Sequence, residues 1–172
     1  MPPRVVLVGP PGAGKSAVGA ELARRLLTSF ADSDELVVRR AGRPVTEIFA
    51  ADGEAAFREL EAAEIAEALL GFDGVLALGG GAVTTESVRR GLAASGAPVV
   101  LLSAGQDELL HRMAGTGHRP LLTGDAAARL AELAEKRAPL YAQVASLTID
   151  TAGQSIAEVA AALHEQLVGQ LS

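Results

Sequence analysis

The strongest constraint on this chain is one junction near its start. Val5-Val6-Leu7-Val8, an uninterrupted apolar run, leads directly into Gly9-Pro10-Pro11-Gly12-Ala13-Gly14-Lys15-Ser16 and then into a helical pattern reaching about Leu27. Strand, glycine-rich loop and helix in that order form a phosphate-binding unit of the Walker A type. The glycines allow backbone torsions and close approach that a side chain would block. Loop N–H groups and the helix N-terminus then surround a β-phosphate. Lys15 reaches the β/γ oxygens, and the Ser16 hydroxyl can ligate Mg²⁺. Gly12, Ala13, Gly14, Lys15, Ser16 and Ala17 are therefore the candidate ATP contacts. The alternative is a turn that merely favours glycine. Only two lysines, Lys15 and Lys136, occur in the 172 residues, which makes a chance lysine in this slot a poor explanation.

The rest of the chain repeats the alternation. Phe30-Ala31-Asp32, Val75-Leu76-Ala77-Leu78, Val99-Val100-Leu101-Leu102 and Leu147-Thr148-Ile149 read as further strands. Helical stretches are expected from Asp34 to Arg40, after Pro44 through Phe49, from Gly53 to Leu70, and after a Ser155 cap answered by Glu158. Continuous apolar strands suit a sheet covered on both faces, and strand–helix–strand repetition requires parallel crossovers. The expected fold is three-layer α/β/α, with residues 1–172 as one domain. Ligands in such sheets bind beyond the carboxyl ends of the strands, here after Val8, Phe30 and Leu78. Residues 114–125, with Gly115, Gly117, Pro120 and Gly124, read as a mobile lid.

Composition excludes several classes. A net charge of −6 argues against nucleic-acid binding. Without cysteine there is no disulfide, thiolate metal site or cysteine nucleophile. No apolar run approaches a membrane span and no leader pattern is evident, so a soluble, cytoplasmic protein is expected. Asn is absent, which removes the guanine-reading element of a GTPase. The third strand ends in glycines rather than the acidic residue of a motor ATPase. A small-molecule kinase is the leading reading.

Four features suit its acceptor side. Asp32-Ser33-Asp34 puts two carboxylates at a strand end. Asp32 can hold a magnesium-bound water and Asp34 can accept a hydrogen bond from an attacking hydroxyl; alternatively Asp32 or Ser33 simply caps the next helix. Arg58 follows Phe57 and offers a fork that matches a carboxylate, which Glu61 can orient from i+3. Gly79-Gly80-Gly81 suggests backbone close to a ligand, or else a loose turn. Among the arginines, Arg119 lies in the glycine-rich stretch where it can close over phosphate, with Arg112 nearby. For Arg137, beside Lys136 on a helix, exposure is the ordinary expectation. Arg24-Arg25, Arg39-Arg40 and Arg89-Arg90 read as solvated helix faces.

Taken in order, Gly9 through Ser16, Asp32-Ser33-Asp34, Ile48 through Arg58, Leu78 through Ala82, Arg119-Pro120-Leu121-Leu122 and Arg137-Ala138-Pro139-Leu140-Tyr141 resemble the shikimate kinase family along nearly the whole chain. The resemblance implies a nucleoside-monophosphate-kinase-like fold with a five-stranded parallel sheet of order 2-3-1-4-5. It implies transfer of the ATP γ-phosphoryl group to the 3-hydroxyl of shikimate by a cytoplasmic monomer using Mg²⁺. Asp34 would bind shikimate hydroxyls and is a candidate for assisting proton removal. Arg58 and Arg137 would grip the carboxylate. Gly79, Gly80 and Gly81 would add backbone contacts, with Phe49 and Phe57 also at the substrate, on helices spanning about 34–62. Ser16, and Asp32 through water, would hold the metal. Arg119 would be the lid arginine and Arg112 would lie along the adenine. Gln154 occupies a nucleotide-side position that is often basic in the family. A kinase resembling gluconate kinase, whose acceptor is also a polyhydroxy acid, and a catalytically silent nucleotide-binding module are the competing expectations.

Overall fold

The computed structural model describes residues 1–105 and 124–170. Five strands, β1 (Val5–Val8), β2 (Ser29–Asp32), β3 (Gly74–Ala77), β4 (Val99–Ser103) and β5 (Leu147–Asp150), form one sheet in the order β2-β3-β1-β4-β5. All neighbours run parallel, with Val6 opposite Leu76 on one side and Val99 on the other. The crossovers are α1 (Lys15–Arg25), α2 (Ser33–Ala41), α3 (Val45–Gly71), α4 (Glu86–Ser95) and α5 (Gly124–Val144), and α6 (Ile156–Gln170) closes the described chain.

The apolar strands feed both faces because successive side chains point to opposite sides. Val5, Leu7, Val75 and Val100 pack with Val18 and Leu22 of α1 and Val159 and Leu163 of α6. Val6, Val8 and Leu76 pack with Ile65 and Leu69 of α3, Val88 and Leu92 of α4, and Tyr141 of α5. Val5, Val6 and Leu7 are fully buried, each worth about 1.5–3 kcal/mol relative to exposure. A third cluster of Val37, Ile48 and Phe57 ties α2 to α3.

Helix ends follow their local chemistry. The Asp32 carboxylate accepts the Asp34 N–H at 2.9 Å and so caps α2, while Ser155 Oγ accepts the Glu158 N–H at 3.1 Å ahead of α6. The two helical segments expected, one through Phe49 and one from Gly53, are both present within α3, separated by a kink at Gly53, where φ is 88° and ψ 171°. That torsion suits glycine and few other residues. Arg24 and Arg25 pair with Glu21, and Arg40 with Glu64 and Glu67, on exposed faces as expected. Arg89 departs from the solvated reading: its Nη1 donates to the Val83 carbonyl at 2.7 Å and its Nε is buried. No helix among the described residues is long and apolar enough to cross a membrane. The stretch 114–123 of the expected lid, with Arg119, and Arg112 before it, lies outside the described residues.

Candidate active site

With β3 between β2 and β1, the ends of three neighbouring strands meet at one place. The phosphate loop leaves β1, Asp32 ends β2, and the glycine turn leaves β3. Together with α3 and α5 they enclose a cavity of about 680 Å³. Its walls include Gly12, Gly14, Lys15, Ser16, Ala17, Asp32, Asp34, Phe49, Phe57, Arg58, Gly79, Gly80, Gly81 and Arg137, all of them expected from the sequence. Glu61, Pro11, Val45 and Leu78 complete the lining.

On the phosphate side, Gly14 adopts φ 90° and starts α1 with no side-chain cap, leaving that helix end to the loop. Lys15 Nζ donates to the Gly9 and Pro10 carbonyls at 2.7 and 2.9 Å, within its own loop. Burial pushes the ammonium down to about 8; the charges of Asp32 and Asp34 oppose that fall and Arg137 adds to it. Ser16 Oγ donates to Asp32 Oδ2 at 2.6 Å. Asp32 thus caps α2 with one oxygen, as the capping alternative expected, and its other oxygen faces the phosphate loop through Ser16. Ala13 is buried behind the loop rather than in the wall, its N–H donating to the Pro10 carbonyl at 3.2 Å.

On the opposite side, Asp34 is held above the usual carboxylate range by burial and by the charge of Asp32, against Lys15 and Arg58. Arg58 Nη1 donates to Glu61 Oε1 at 2.8 Å, and Nη2 lies 3.6 Å from Glu54 Oε1. Glu61 is fully buried, and burial pushes its carboxyl up despite the hydrogen bond from Arg58. Arg58 also lies 5.2 Å over the Phe57 ring, whose centroid is 4.8 Å from that of Phe49. Arg137 turns into the cavity rather than to solvent.

The glycine turn explains its own composition. A Cβ on Gly81 would lie 2.2 Å from Arg58 Nη2 and 2.9 Å from Arg137 Nη2, so the two forks meet over bare backbone. At Gly79 a Cβ would lie 2.9 Å from Asp34 Oδ1, and at Gly80 2.9 Å from Pro11 Cδ. The turn is a packed floor, which replaces the loose-turn alternative. Sequence reasoning missed two groups that fix it: the Ser33 hydroxyl, which accepts the Gly79 N–H at 2.9 Å, and Tyr141, whose hydroxyl donates to the Gly80 carbonyl at 2.5 Å. Gln154 is not brought to this cavity; it is exposed, and its amide donates to the Asp150 carbonyl at 2.8 Å.

Phosphate loop, paired carboxylates and converging arginines in one cavity narrow the choice to a kinase of a small anionic acceptor. A family model for shikimate kinase matches residues 11–168. The chain belongs to the shikimate kinase family. It is 46% identical over 152 residues to the shikimate kinase of Mycobacterium avium (strain 104), covering 88% of this chain and 85% of that one. The structure of an Acinetobacter baumannii shikimate kinase in complex with shikimate superposes with a TM-score of 0.90 at 34% identity, covering 99% of this chain and 94% of that one. A gluconokinase from Sinorhizobium meliloti 1021 gives a TM-score of 0.61 at 22% identity over 99% of this chain and 98% of its own, a likeness of fold alone. Membership in the shikimate kinase family thus rests on sequence as well as shape, whereas the gluconokinase likeness does not.

Proposed function

We infer that this chain transfers the γ-phosphoryl group of ATP to the 3-hydroxyl of shikimate, giving shikimate 3-phosphate and ADP on the route to chorismate. The observation that carries the reading is the convergence of Arg58 and Arg137 over Gly81, in a cavity whose other end holds Lys15 and Asp34. A planar fork matches a carboxylate in a way an ammonium does not, and two forks at one point suit the single carboxylate of shikimate. That anchor would direct the ring hydroxyls toward Asp34 and the phosphate loop, with Phe49 and Phe57 against the ring.

The acceptor oxygen bonds to the γ-phosphorus as the bond to the β–γ bridging oxygen breaks, and ADP leaves with that electron pair. Such transfers depend mainly on alignment and charge neutralisation. Asp34 would accept the hydroxyl proton, which its raised carboxyl pKa favours. Lys15 would exchange its two loop carbonyls for phosphate oxygens. The Ser16 hydroxyl and Asp32 carboxylate, 2.6 Å apart on the cavity wall, are hard oxygen donors of the kind Mg²⁺ takes. Ser16 would hold the ion directly and Asp32 through water, and the ion when bound neutralises phosphate charge. The reading also gives Arg119 the lid role over the phosphates, Arg112 the adenine, and Gln154 a nucleotide-side place, in a cytoplasmic, single-domain monomer.

Coupled ADP release with shikimate, gluconate and AMP as alternative acceptors tests this. Turnover confined to shikimate is expected. Preference for gluconate would overturn the acceptor assignment, and tight ATP binding without any transfer would favour a silent nucleotide-binding module.

A further inference from the structure

The glycine turn is held from outside the cavity. Ser33 and Tyr141, both buried, are absent from the cavity wall, yet they grip successive residues of the turn: Ser33 Oγ takes the Gly79 N–H and Tyr141 takes the Gly80 carbonyl. The turn also satisfies its remaining carbonyls internally. The Ala82 N–H donates to the Gly79 carbonyl at 3.0 Å, and the Thr84 N–H and hydroxyl both donate to the Gly81 carbonyl. Within the turn, the N–H groups of Gly80 and Gly81 are the ones that donate to no other described residue. A trans peptide points its N–H opposite its C=O. With the Gly80 carbonyl drawn toward Tyr141, the Gly81 N–H is turned the other way.

The consequence lies in what sits over Gly81. The Arg58 and Arg137 forks meet there, and an acceptor carboxylate held by them would face either a peptide N–H, which attracts it, or a carbonyl oxygen, which repels it. Resting on the reading of this cavity as the shikimate site, we propose that Tyr141 is a positioning residue for the acceptor. Its hydroxyl, with Ser33 on the other side, locks the Gly80–Gly81 peptide so that N–H rather than C=O is presented beneath the arginine forks. Tyr141 stands one helical turn beyond Arg137 on α5, so the same helix that delivers one fork also sets the peptide under it. Pro11 confines Gly80 from the phosphate-loop side, leaving the peptide plane to be set by Tyr141.

Tyr141→Phe removes the hydroxyl and keeps the ring that packs in the core. The test is steady-state kinetics in both substrates, with thermal melting alongside. Wild type must turn over shikimate; if it does not, the functional reading fails, and this proposal with it. Given that turnover, Tyr141→Phe should raise the shikimate KM about tenfold, the scale of one lost hydrogen bond, and leave the ATP KM unchanged. Ser33→Ala should show the same split and serves as the second readout should Tyr141→Phe fold poorly. Ser146→Ala loses a comparable hydroxyl contact to the Val99 backbone at the far end of the sheet, and both its KM values should stay at wild type. A wild-type shikimate KM in Tyr141→Phe, or equal rises in both KM values, would overturn the proposal.

Discussion

Gly81→Ala isolates the arginine clamp from the stability of the fold. Gly81 has φ −97° and ψ 0°, torsions that alanine adopts without strain, so the backbone should be unaffected. The new Cβ would sit 2.2 Å from Arg58 Nη2 and 2.8 Å from its Cζ. Ordinary contact needs about 3.5 Å, so the fork must retreat by roughly 1 Å. Retreat is possible because a guanidinium ends a flexible stem, but Glu61 holds its other nitrogen at 2.8 Å and the side chain is only 18% exposed. Arg58 therefore shifts without escaping, and the contacts it can offer a carboxylate are misaligned. A charge-assisted hydrogen bond is worth about 1.5–3 kcal/mol, which sets the expected rise in shikimate KM at roughly tenfold to a hundredfold. The ATP KM should hold, and the melting temperature should move by no more than about 2 °C. Gly53→Ala provides the inverse: nothing lies within 4 Å of its Cβ, but its φ of 88° and ψ of 171° fall in a region almost confined to glycine, so stability should fall by about 1–3 kcal/mol with modest kinetic effect. An unchanged shikimate KM in Gly81→Ala, with melting intact, would refute the argument that the forks act from this position.

Other perturbations reach the clamp, the phosphate loop and the helix ends separately. Arg58→Ala and Arg137→Ala should each raise the shikimate KM far more than the ATP KM; unchanged shikimate KM in both would remove the carboxylate clamp. Lys15→Ala should abolish turnover while the protein still melts cooperatively; retained activity would mean the phosphate loop is misread. Because burial raises the Glu61 carboxyl, acidification should neutralise it ahead of exposed carboxylates, loosening Arg58 and raising shikimate KM as pH falls. That dependence should flatten in Glu61→Gln, whatever Asp34 contributes to kcat, and an unaltered profile there would contradict it. Leu27, 92% exposed with φ 54° at the end of α1, occupies a position that suits glycine, so Leu27→Gly should raise the melting temperature by about 2–4 °C.

The strand order and the site share one cause, and most of it can be read locally. Val5–Val8, Val75–Ala77 and Val99–Leu102 announce themselves because both faces of a parallel sheet are covered, which leaves the runs unbroken by polar residues. The phosphate loop and Asp32-Ser33-Asp34 are contiguous, so their chemistry is visible from spacing alone. Arg137 is different: on its own helix it looks solvated, and only the crossover from β4 to β5 brings α5 over the glycine turn. The role of Tyr141 is likewise invisible locally, since its partner Gly80 is 61 positions away. Glu61 showed its i,i+3 relation to Arg58 but not its complete burial, which depends on α3 lying against α2 and the turn. Asp32 illustrates a further limit, for spacing set capping against a phosphate-side role, whereas one oxygen caps α2 and leaves the other free to meet Ser16.

The position of the phosphoryl group on the product reports the reaction itself. After incubation of the enzyme with ATP, Mg²⁺ and shikimate, phosphorus–proton correlation NMR locates the transferred phosphoryl group. Shikimate kinase activity predicts a single product coupled to the proton on carbon 3, formed in step with ADP. Phosphate on another hydroxyl, a mixture of positions, or no phosphorylated shikimate at all would contradict it.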